Sequence, residues 1–153
     1  MTRAQAWTAL RIAMAAAAAV AIAAAFMPWV EADVSLLSVR LYTVTVDGME
    51  RDGPYTAVMA GAIIAAVLAT VFFKLPDRHA ATAVAVLGAG IALIGFLTWI
   101  DVAGAVDVDG QETEELPLVS ARVQLGLILT TAAGLVAGLL GLAGMRLAAL
   151  PDA

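Results

Sequence analysis

Four stretches of this chain are too long and too apolar to lie against water, and they limit the fold before any motif is considered. They run over residues 7–27, 56–73, 80–100 and 119–147. A helix needs about 20 apolar residues to cross a hydrocarbon core about 30 Å thick, and each stretch approaches or exceeds that length. In the fourth, Arg122 and Arg146 stand 24 residue steps apart. At about 1.5 Å per step they are roughly 36 Å apart, one for each headgroup layer. Composition agrees: 63% of residues are hydrophobic and 14% charged, mean hydropathy is +0.96, and soluble domains carry about 25% charge. The expected fold is an all-α transmembrane domain, an antiparallel four-helix bundle occupying residues 1–153, with outer loops over 28–55 and 101–118.

The first stretch admits two readings. A basic start at Arg3 and Arg11, an alanine-rich run and small residues at Ala23 and Ala25 also suit a secretory signal peptide cleaved near Phe26. The reading adopted is a retained span, whose weakly apolar alanines pack inside the bundle. The second stretch follows Gly53-Pro54 and ends at Lys74-Leu-Pro76, a turn before it and a helix breaker after it. Trp7, Trp29 and Trp99 all fall at span ends, where interfacial anchoring is the ordinary role of tryptophan.

Charge sets the orientation. The N-terminus, the turn between the second and third spans and the C-terminal tail hold Arg3, Arg11, Lys74, Arg78 and Arg146, against Asp77 and Asp152. The other side holds Arg40, Arg51 and Arg122 among many acids, from Glu31 to Glu115. The positive-inside rule then places both termini inside, in an integral protein of the cytoplasmic (plasma) membrane. The longer loops lie outside. In the first of them Ser38–Val46 is β-branched, alternates in side-chain type and stops at Asp47-Gly48, so it reads as a strand pairing with 30–37. Val102–Val108 offers a shorter alternation. A small extracellular sheet of two to four strands from the two outer loops is expected, since one strand alone is unstable.

Small residues at four-residue spacing mark the faces on which helices approach closely. Ala13, Ala17, Ala21 and Ala25 form such a row in the first span and Ala57, Gly61, Ala65 and Ala69 in the second. Gly88 with Ala92 does so in the third, and Thr130, Gly134 and Gly138 in the fourth. Packing within the chain is the plain reading; association between copies is the other. Gly141 and Gly144 extend the fourth span's small surface toward a neighbouring face, a candidate second contact.

Candidates for chemistry are few. Between the interfacial charges the spans offer little beyond threonines such as Thr70, Thr98, Thr130 and Thr131, and none contains proline or the buried charge that pumps and proton-coupled transporters use. The chain has no cysteine, and its single histidine, His79, lies in the inner turn. Two features stand above background. Asp107, Asp109 and Glu112 gather hard oxygen ligands around a turn, as a weak cation site requires, although without EF-hand spacing. Asp101 and Arg122 end the third span and begin the fourth, placed to form an interfacial ion pair.

The order Phe26-Met-Pro-Trp-Val30, Gly48-Met-Glu-Arg-Asp-Gly53 and Ile100-Asp-Val102 resembles a broad set of uncharacterised small four-span membrane proteins of halophilic archaea and actinobacteria. More remotely, a tryptophan after the first helix, a strand-bearing first outer loop and a shorter second loop look like the layout of claudins. The claudin cysteine pair is missing. Neither resemblance implies an activity or site residues.

The expectation is a non-catalytic protein with no cofactor and no nucleic-acid partner. It would act through membrane lipids and protein contacts, with itself or with another membrane protein, as a self-assembling or accessory subunit. An oligomeric channel or transporter is the alternative. A membrane enzyme is a further rival, which needs a polar cavity that the spans do not supply.

Overall fold

The computed structural model describes residues 2–36, 39–75, 77–107 and 118–149. Its elements follow in the order α1 (Arg3–Ala25), β1 (Pro28–Leu36), β2 (Val39–Asp47), a 3-10 turn (Gly48–Glu50), α2 (Gly53–Phe72), α3 (Asp77–Asp107), β3 (Leu118–Val123) and α4 (Leu125–Ala149). All four helices are long and apolar enough to cross a membrane.

Local chemistry explains most of their ends. Thr2 and Gln5 form a capping box: the Gln5 N–H donates to the Thr2 hydroxyl and the Thr2 N–H to the Gln5 side-chain oxygen, which satisfies two donors that a helix start leaves free. The chain leaves α1 at Phe26 just before Pro28, and Pro54 sits in the first turn of α2, where a missing N–H costs nothing. After α2, Lys74 takes a left-handed backbone (φ 53°), which turns the chain toward α3.

Two boundaries differ most from the sequence expectation. Residues 101–107, read as loop with a short strand, continue α3 as helix to Asp107. The gain is visible at Val102, which is buried against Trp29, Val30 and Leu127. Conversely, Leu118–Val123, assigned mostly to the fourth span, form β3 along the free edge of β1, and α4 starts only at Leu125. The sheet order is β2-β1-β3, antiparallel throughout, with β1 in the middle. The strands read over 30–37 and 38–46 are present as β1 and β2.

Opposed residues share a face of the sheet. Val30 faces Val46 and Val123, and Ala32 faces Val44 and Ala121, so this side is apolar. Its near end packs on Val102, Ile94 and Leu127 of the helices. Glu31, Asp33, Thr43, Ser120 and Arg122 form the other, polar side.

The helices meet mainly through small residues. A methyl group added at Gly88 would lie 2.4 Å from the Gly138 backbone nitrogen, one at Gly134 2.5 Å from that of Ala92, and one at Gly141 2.4 Å from that of Ala85. Contacts climb α3 as they descend α4, with Gly95 against Thr131 at one end and Ala81 against Gly144 at the other. Ala17, Ala18 and Ala21 of α1, Ala60, Ile63 and Val67 of α2, and Val84 and Ile91 of α3 complete the core. Arg3 donates to the Leu147 and Ala148 carbonyls at the end of α4, and Arg11 pairs with Asp77 at the start of α3.

This geometry ranks the glycines. Gly88→Ala should destabilise the chain by about 1–3 kcal/mol, because the methyl meets backbone that cannot give way. Gly138→Ala, whose added carbon lies 3.5 Å from its nearest neighbour, should stay within about 0.5 kcal/mol of the parent. Thermal unfolding of both variants in detergent checks the ranking, and equal melting temperatures would contradict it.

Candidate functional site

The end of the molecule that carries the sheet is organised around one side chain. Trp29 is fully buried, and its indole N–H donates to the Ala24 carbonyl at 3.0 Å. That carbonyl belongs to the last turn of α1, past which the i+4 donors run out, and it also accepts from Met27 N–H at 3.1 Å. The ring lies where Gly48 and Gly126 have no side chains: an added Cβ would fall 2.3 Å from the Trp29 Nε1 at Gly48 and 2.9 Å from its Cδ1 at Gly126. The Trp29 backbone carbonyl accepts from Gln124 N–H at 2.9 Å, and Gly48 N–H donates to the Met27 carbonyl at 3.0 Å. One residue therefore joins α1, the 3-10 turn, β1 and the start of α4. The interfacial-anchor reading of Trp29 is corrected: its indole is locked inside the protein and cannot reach a headgroup layer.

The other two tryptophans differ from it. Trp99 is 44% exposed near the sheet end of α3, and Trp7 is buried near the opposite end of the molecule.

On the polar side of the sheet, Asp33 is buried although its neighbours are not. One carboxylate oxygen accepts from Arg40 at 3.0 Å and Arg122 at 3.1 Å, and the other from the Thr43 hydroxyl at 2.6 Å. Residues from all three strands thus converge on one anion. Both guanidinium groups remain more than half exposed, so the cluster presents two fixed cations at the sheet surface. Gln124 donates to Glu31 at 2.7 Å on the same side. With its oxygens already engaged by three donors, Asp33 is suited to holding the strands together and fixing the two arginines.

The expected pair of Asp101 with Arg122 does not form. Arg122 sits on β3 and turns to Asp33, while Asp101, still within α3, pairs with Arg51 at 3.1 Å. The displaced boundaries explain the change, since the two residues were placed on facing helix ends that the chain does not make. The Arg51 pair is exposed on both sides and contributes about 0–1 kcal/mol. The cation candidate of Asp107, Asp109 and Glu112 lies outside the residues whose side chains the structure describes. Among the described residues no group of three or more His, Asp or Glu could hold a metal ion.

The small-residue rows separate into two kinds. Gly88, Gly134, Gly138 and Gly141 are consumed where α3 meets α4, so Gly141 belongs to that seam and not to a second face. Gly61 and Ala65 point the other way. Among the described residues an added Cβ at Gly61 meets nothing beyond its own helix within 4 Å, and Ala65 is exposed. The packed face of α2 is instead Thr56, Ala60, Ile63, Val67 and Thr70.

Five threonine hydroxyls of the helices donate to backbone carbonyls: Thr8 to Ala4, Thr56 to Asp52, Thr70 to Val67, Thr82 to Arg78 and Thr131 to Leu127. Thr130, fully buried, has no hydrogen-bond partner among the described residues.

Comparison with protein-family models, with curated proteins and with solved structures finds no match to this chain.

Asp33→Asn should weaken the sheet by about 1–3 kcal/mol, because two guanidinium groups and a hydroxyl lose their common acceptor charge. Arg122→Gln should cost less, since Arg40 still serves the carboxylate. Hydrogen exchange of the β1 and β3 amides reads both, and equal protection in the parent and Asp33→Asn would show the cluster to be ornamental.

Proposed function

We propose that this chain is a non-catalytic tetraspan membrane protein that works through protein contacts, as a self-assembling or accessory subunit of a membrane complex. In this reading the four helices cross the plasma membrane as an antiparallel bundle, both termini lie in the cytoplasm and the sheet stands outside. The observation that carries it is the unfilled row on α2, where Gly61 and Ala65 face outward beside exposed Val58 and Leu68. Small-xxx-small rows let a second helix approach closely enough for dispersion contacts to hold it.

Three further observations support the reading. The outward residues of the helices are large and apolar, with Val58 73%, Phe72 72% and Leu139 65% exposed, as suits a surface solvated by lipid. The sheet presents Arg40 and Arg122 in fixed positions, a second and polar contact surface. The basic residues Arg3, Arg11, Lys74, Arg78 and Arg146 gather at the end away from the sheet, which supports the orientation. A claudin-like layout, with a tryptophan leaving the first helix and a first loop folded as strands, fits the same role.

The contact row predicts a measurable association. Energy transfer between donor- and acceptor-labelled copies in liposomes should report it, or one stoichiometric membrane partner should co-purify in mild detergent. Gly61→Ile with Ala65→Phe should weaken whichever is found by at least about tenfold, while the monomer keeps its melting temperature because neither side chain points inward. A parent protein that stays monomeric and isolates alone would remove the proposal, as would an association that the double variant leaves intact.

A further inference from the structure

The α3–α4 seam is closed on its inner side and open on its outer side. Above Gly134 and Gly138, where no side chain rises to meet Ala85 and Ala89, lies an almost wholly apolar groove of about 480 Å³ that runs to Met145. At Met145 it continues into a second recess, lined by Arg78 and Arg146. Both arginines are exposed, and neither guanidinium has an ion-pair or hydrogen-bond partner among the described residues. Asp77, next to Arg78 in the chain, is engaged by Arg11.

The dimensions identify the kind of occupant. From Met145 to Gly134 the groove follows α4 for 11 residue steps, roughly 16 Å. One leaflet of hydrocarbon is about 15 Å deep, half of the core. The groove therefore begins at headgroup level beside two cations that have no partner among the described residues, and it ends near the midplane. A second copy of this chain would bring its own basic end to the same cations, which repel it. A phosphate complements them.

We propose that this groove and recess bind one anionic phospholipid of the inner leaflet, with its phosphate between Arg78 and Arg146 and an acyl chain over Gly134 and Gly138. The site lies on α3 and α4, away from the α2 contact row. It rests on the membrane reading above but not on the association. Basic pockets between helices on the cytoplasmic side hold anionic headgroups through charge, and a preformed groove adds the fit of the chain.

Native mass spectrometry of the full chain in mild detergent tests it, with dioleoyl phosphatidylglycerol and dioleoyl phosphatidylcholine offered in equal amounts. The expected result is a retained phosphatidylglycerol adduct favoured by roughly 10–30-fold over phosphatidylcholine. Arg78→Gln with Arg146→Gln should abolish the preference. Ala89→Phe, at an exposed position that projects into the groove, should reduce binding of the whole lipid while the melting temperature holds. Excess inorganic phosphate should not displace the lipid, since it lacks the chain. Equal retention of the two lipids, an unchanged preference in the arginine variant, or full displacement by phosphate would overturn the site. Those failures leave the α2 association untouched. A chain that enters neither micelles nor vesicles would overturn both readings together.

Discussion

Helices that share a lipid solvent gain little from hiding apolar surface from one another, so they must approach closely enough for dispersion to hold them. The seam between α3 and α4 meets that demand. At Gly88, Gly134 and Gly141 the backbone of one helix occupies the volume that a methyl on the other would need. The spacing of these residues follows from helical geometry, since positions three, four and seven apart share a face. Around this pair the core is filled by alanines of α1 and by a few larger groups, Met14, Ile63 and Ile91, that occupy what the alanines leave open.

The opposite problem arises where the bundle ends and the sheet begins. There the α1 carbonyls lose their i+4 donors while the chain turns into β1, and at Ala24 the Met27 N–H and the Trp29 indole take their place. The large ring needs room that Gly48 and Gly126 supply, so three positions distant in sequence depend on one another. Replacing the ring with a small side chain would leave a cavity there and remove one of the donors to the Ala24 carbonyl, which Met27 N–H also serves. The sheet is thereby fixed on the bundle, and Arg40 and Arg122, tied to buried Asp33, are held at defined positions.

The spans were legible because crossing a bilayer needs a long unbroken apolar run, which leaves a mark in any sequence. Strands β1 and β2 were legible from alternation and the Asp47-Gly48 turn. The rest depended on what a segment meets after folding. Residues 101–107 alternate as a strand would, yet Val102 finds a buried site only if α3 continues. Leu118–Val123 are apolar enough to open a span, but the free edge of β1 offers them a ladder of hydrogen bonds. Once those boundaries move, Arg122 is beyond reach of Asp101 and within reach of Asp33. Asp33 stood out in no local pattern, because its importance lies in register across three strands. A tryptophan at a span end reads the same whether its ring meets headgroups, as an exposed Trp99 would, or fills the junction, as Trp29 does.

The contrast between two glycine rows bears on what the chain is for. Glycine within a helix costs about 1 kcal/mol relative to alanine. At Gly88 and Gly141 that cost is offset inside the molecule, because alanine would drive two backbones apart. Gly61 has no such compensation. Among the described residues nothing beyond its own helix lies within 4 Å of where its Cβ would stand, so alanine would fit the isolated chain at least as well. A penalty without an internal reason, beside exposed Ala65 and on the face of α2 turned from its own bundle, is accounted for if another helix lies there and needs the space. The groove over Gly134 and Gly138 calls for no such partner, because its two cations and its one-leaflet depth suit a lipid. On the readings proposed above, the two surfaces divide the outside of the bundle between a protein neighbour and a lipid one.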